Sequence, residues 1–172
     1  MELQDLQNLF ANTDPSTQFF DSKSIFSILN VEDAPQSEKD KMLKDFVTEA
    51  VQRAIKRVLA DPNVDDVLKS DIQRILNSTD NIFKAQEELN SLLPQNFVHY
   101  VIEESRMLKL EMSLNNIRET YKMVVASDSI KTEQKEEFKN AVNLAEEAFR
   151  EGNLNKYRTA YEKYDSLRSS LL

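Results

Sequence analysis

The stretch MLKLEMSLNNIRETYKMV, residues 107–124, sets the helical pattern from which the architecture follows. It carries Met107, Leu110, Leu114, Ile117, Tyr121 and Val124 at alternating intervals of 3 and 4. That alternation places these six residues on one narrow stripe of an α-helix, the seam that bundles and coiled coils bury. No proline or glycine interrupts the run between Pro94 and Ala126, so one long helix over 94–126 is expected. At about 1.5 Å per residue it would reach roughly 50 Å, whereas a compact chain of this length is roughly 40 Å across. An elongated molecule is the consequence.

Downstream, the pattern repeats twice. Phe138, Val142, Ala145 and Phe149 mark a helix over 133–151, and Leu154, Tyr157, Tyr161, Tyr164 and Leu167 mark a last one. Between them stands Gly152, the one glycine among 172 residues. A glycine between two amphipathic helices supplies the left-handed residue that ends the first, so it reads as a hairpin turn. Residues 107–172 are thus expected to form a three-helix bundle that shares the long helix.

Upstream, the apolar residues are spaced differently. Over Glu38–Ala60 they come as adjacent pairs: Met42/Leu43, Phe46/Val47, Ala50/Val51, Ala54/Ile55 and Val58/Leu59. A repeat of four drifts about 40° per step around a helix, which predicts a central core helix crossing its neighbours steeply. A helix over 15–29 is expected before it, and helices over 62–77 and 80–92 after it. Asp14-Pro15 and Asp61-Pro62 offer a capping carboxylate before a first-turn proline, and Ser37 and Asp40 have capping-box spacing. No useful length of chain alternates β-branched with polar residues. The fold class is all-α: a globular helical domain over 14–106, joined by the long helix to the C-terminal bundle. A short arm over 1–13 precedes them.

Leu, Ile, Val and Phe make up 48 of the 172 residues, enough to build a core. The net charge of −8 and isoelectric point near 4.8 disfavour nucleic acid and anionic membrane as partners. There is no cysteine, hence no disulfide and no thiolate chemistry. The opening MELQDLQNLFANTD has neither a basic nor an apolar leader region, and the apolar runs are short, so a cytoplasmic setting is expected.

A single glycine excludes phosphate-binding loops, the dinucleotide fingerprint and the nucleophile elbow, all of which need several. His99 lies one turn before Glu103, which raises an acid–base pair or half a metal site. A di-metal bundle needs two Glu-x-x-His motifs, and there is none. Acidic pairs such as Glu103/Glu104 and Glu146/Glu147 have basic residues three or four positions away and read as solvated faces. No catalytic residue, cofactor or metal is expected.

Two features suggest a protein partner, either another protein or a second copy of the chain. Leu3, Leu6 and Phe10 line one face of the arm, which is too short to be stable alone. Tyr157, Tyr161 and Tyr164 form an aromatic stripe, either a contact face or the bundle's own core. The run Arg53/Lys56/Arg57 supports an alternative, a nucleic-acid-associated regulator, although cations there also complement the helix dipole. A carboxylate-based metal-binding bundle is the remaining alternative.

The segment SIFSILNVEDAPQSEKDKMLKDFVTEAVQRAIKRVL, extended through LLPQNFVHYVIEESRMLKLEM, resembles an uncharacterised bacterial helical family of the candidate-phyla type over roughly residues 24–112. The resemblance implies a bacterial, non-enzymatic module and carries over no functional residues. The expected function is a non-catalytic protein–protein interaction or scaffold module.

Overall fold

The computed structural model describes residues 15–78, 88–89, 92–93 and 97–171. Among these the chain is all-α: α1 (Pro15–Ser22), α2 (Ile25–Leu29), α3 (Gln36–Ala60), α4 (Asp66–Ser78), α5 (Phe97–Ala126), α6 (Thr132–Arg150) and α7 (Leu154–Ser169). The expected arm over 1–13 and most of the helix expected over 80–92 lie outside the described residues.

Two compact units divide the chain. The first, the bundle unit, joins residues 15–33 to 109–171; the second covers Ala34–Leu108. Helix α5 thus lends its first part to one unit and the remainder to the other. The sequence reading placed 14–33 in the N-terminal domain, and that assignment is corrected: Phe20, with no exposed surface, belongs to the core of α5, α6 and α7. Chain proximity suggested the wrong neighbour, because aromatic burial outweighs a short connection.

In the bundle unit, Leu110, Leu114, Ile117 and Val124 of α5 meet Phe138, Val142, Tyr157, Tyr161 and Tyr164, with Ala141, Ala145, Ala148 and Ala160 between them. Small residues at helix contacts let backbones approach, and α6 with α7 is the most extensive helix pairing among the described residues. Met107, expected to begin the seam, is 44% exposed, so the buried seam starts at Leu110. The turn at Gly152 is as expected. Its φ is +65°, Asn153 N donates to Ala148 O at 2.9 Å, and Gly152 N donates to Phe149 O at 3.2 Å. This is a Schellman ending for α6. Asn153 Oδ1 then accepts from Lys156 N at 3.0 Å and opens α7.

The second unit is built on aliphatic residues: Ile55, Val58, Ile72, Ile75 and Leu89. Several local expectations change here and nearby. The helix expected over 15–29 is two helices, because Ser24 Oγ accepts from Ser27 N at 3.0 Å and restarts the chain as α2. Asp61 does not cap α4; its carboxylate accepts from Asn63 N at 2.8 Å in a turn, and Asp65 accepts from Val67 N at 2.7 Å instead. Helix α3 begins at Gln36 behind Pro35 without a side-chain cap, so Ser37 forms no capping box there. Nor is α3 uniformly central: its buried residues are Ala50, Ala54, Ile55 and Val58, all in the second half.

Candidate interaction surface

Six large apolar side chains stand exposed among the described residues: Leu43, Val47, Val67, Met107, Met123 and Val125. Isolated cases are ordinary on any surface. Leu43 (48% exposed) and Val47 (37%) are different, since they alone are spaced by one helical turn and so share a face. Successive residues turn 100° around a helix, and that rotation puts Leu43, Val47, Ala50 and Ala54 on one stripe. Ala50 and Ala54 are buried at 1% and 0%. One apolar seam therefore runs along α3, covered in its second half and open in its first. Met42 and Phe46, both half-buried, flank the open part. The opposite face carries Glu38, Lys41, Asp45, Glu49 and Gln52, as solvent requires.

The residues singled out from sequence fall elsewhere. Tyr157, Tyr161 and Tyr164 are buried at 1%, 2% and 1%, so the partner-contact reading of that stripe is corrected: these tyrosines are bundle core. Each aromatic body fills space, and two of the three hydroxyls have bonding partners given by the structure. Tyr157 Oη shares its proton between Leu110 O at 3.2 Å and the buried Ser113 Oγ at 3.1 Å, and Tyr164 Oη lies 2.9 Å from Thr120 Oγ1. Burial pushes the Tyr157 phenol well above its ordinary range despite the Ser113 bond. Burial first, then the nearby Asp165 carboxylate, pushes Tyr161 up to about 12. Leu3, Leu6 and Phe10 lie outside the described residues.

The basic run is engaged within its own unit. Arg53 Nε bonds Glu49 at 2.8 Å; Arg57 bonds Glu103, lies 3.7 Å from Glu104, and its guanidinium sits 4.6 Å from the Tyr100 ring centre. Lys56 is exposed. Phosphate neutralisation needs cations free to meet it, and two of these three already face carboxylates. Glu103 is thus paired with Arg57, and His99 is exposed. Among the described residues no three of His, Asp and Glu gather in a way that would hold a metal ion, and no helix is long and apolar enough to cross a membrane.

Sequence reasoning missed the open seam because it treated every apolar pair of α3 alike. Position carried the signal: Ala54/Ile55 and Val58/Leu59 stand directly before the turn at Asp61 that leads to α4, whereas Met42/Leu43 and Phe46/Val47 lie in the half of α3 away from it. Compared with family models, with curated proteins and with solved structures, the chain matches none.

Proposed function

We propose that this protein is a non-catalytic protein–protein interaction or scaffold module, and that it receives a helix of its partner along the open half of the α3 seam. One observation carries the reading: Leu43 and Val47 are exposed in line with buried Ala50 and Ala54. Covering what remains exposed of these two side chains recovers part of the roughly 1.5–3 kcal/mol that full burial of each is worth. A 4-3-4 stripe is the shape that packs against another helix, by the helix-in-groove mode of recognition. The charged flanks keep the unoccupied face soluble and set the register of the partner.

The test compares capture by the wild type, by the double variant Leu43→Lys/Val47→Lys, and by Met123→Lys as a control on an unrelated exposed apolar residue. A partner retained by wild type and control but lost by the double variant supports the reading. Self-association in sedimentation that the same double variant abolishes identifies the partner as a second copy. Equal capture and unchanged self-association in all three would remove this face from the interaction.

A further inference from the structure

Helix α1 is held to the bundle as a bound peptide is held to a receptor. It has eight residues, too few to persist alone in water. Its neighbours in space are distant in sequence: Lys109 stands 86–89 positions from the carbonyls it bonds, and Tyr157 and Tyr161 lie farther along still. Phe20 is fully buried, its ring 5.5 Å from Tyr157 and 5.9 Å from Tyr161. Phe19 packs edge-on at 6.0 Å from Tyr161, and the Arg158 guanidinium lies 5.0 Å from its ring centre. Lys109 Nζ donates to the carbonyls of Phe20 (3.0 Å), Asp21 (3.2 Å) and Lys23 (2.8 Å), placing a cation where the helix leaves its last carbonyls unsatisfied. Asn116 Nδ2 does the same for Ile28 O at the end of α2, at 2.8 Å.

Adjacent aromatic anchors in an aromatic pocket, with polar contacts at the helix end, are the anatomy of a recognition groove. The exit from this groove is short. Asn30, with a φ of +58°, is the one non-glycine residue in the left-handed region among those described, and by Ala34 the chain has entered the other unit. Asn30 closes α2 as a left-handed cap, and the short connection beyond it is a place where the whole segment exchanges at little expense of contacts.

We propose that α1 and α2 form a detachable strap. The face of α5 and α7 beneath it is a groove for a short helix with adjacent phenylalanines, filled in cis by Phe19 and Phe20 and able to take the same helix from a second copy of the chain. Swapped and unswapped forms contain identical contacts, so local concentration decides between them. This groove lies on residues other than the α3 seam, and its fate does not depend on that reading.

A fluorescently labelled synthetic peptide of residues 15–33 is the probe. Against the full chain carrying Phe19→Ala/Phe20→Ala, whose own strap is weakened, it should bind at least about tenfold tighter than against wild type, because the cis competitor is gone. Adding Tyr161→Ala to that variant should abolish the gain. A folded Phe19→Ala/Phe20→Ala chain that binds the peptide no better than wild type would overturn the proposal. Hydrogen exchange on the wild-type chain decides the matter even if that variant does not fold. Amides of α1 should exchange at least about tenfold faster than those of α6 and α7, opening as a separate unit. Equal protection would make α1 an integral part of the bundle and sink the strap.

Discussion

In the bundle of α5, α6 and α7 the buried side chains alternate between very large and very small. Tyr157, Tyr161, Tyr164 and Phe138 interlock with Ala141, Ala145, Ala148 and Ala160, and hydroxyls of the tyrosines reach across to Leu110, Ser113 and Thr120. Around α3 and α4 the clustered core is medium-sized and aliphatic, with Ala50 and Ala54 also buried on α3, and the polar link given by the structure between α3 and α5 is the exposed pairing of Arg57 with Glu103 and Glu104. The bundle takes even α1 to cover its tyrosines; Met123 and Val125 stay exposed near the end of α5 but share no stripe. The other unit leaves half a seam of α3 open. A closed core with directional bonds specifies one arrangement, whereas an apolar stripe longer than its local cover is available to something else.

Four measurements test this contrast. The largest effect should come from Phe138→Ala, where a fully buried ring is removed from a core whose alanines cannot swell to fill the gap. A loss of about 3–5 kcal/mol is expected in urea unfolding. A loss under about 1 kcal/mol would mean the bundle is loosely packed and the contrast false.

Next comes alkali. Tyr161, raised to about 12, binds its proton more tightly folded than unfolded, as Tyr157 does, so both contribute stability that is full below about pH 10. That stability drains away as pH rises from about 10 through 12. At roughly 1.4 kcal/mol per pKa unit, reduced by solvent screening, about 1–2 kcal/mol from Tyr161 is at stake. Melting temperatures followed from pH 9 to 11.5 should fall, and Tyr161→Phe should flatten the decline. An equal decline in that variant would place the alkaline sensitivity elsewhere.

Gly152→Ala should cost about 1 kcal/mol. An added methyl group meets nothing within 4 Å, so the whole penalty is the left-handed backbone at φ +65°. A neutral result would show that the α6–α7 turn relaxes.

The smallest effect belongs to the open seam: Leu43→Ala/Val47→Ala should change the stability of the isolated protein by no more than about 0.5 kcal/mol. A loss of 2 kcal/mol or more would mean these residues already serve a core, and the proposed docking face would close with them.

The all-α class was legible because helical periodicity is a local property. The 3-and-4 spacing from Leu110 to Val124 follows from 3.6 residues per turn, whatever the helix packs against. The Gly152 turn was legible for the same reason, since left-handed backbone is a demand made on one residue. Caps were read less well. Asp61 and Asp65 are both good capping residues within one short loop, and the choice between them depends on where the preceding helix ends.

What sequence alone could not decide was which apolar stripe met which. The pairs at Leu43/Val47 and at Tyr157/Tyr161 have equal claim to burial by composition and spacing, yet one pair is open and the other sealed. Residues 15–33 lie next to α3 in the chain, but Phe20 finds its partners at positions 157 and 161. Periodicity says that a helix has an apolar face. It does not say what arrives to cover it, because burial is a property of two surfaces brought together by the whole chain, and only the tertiary structure supplies the second one.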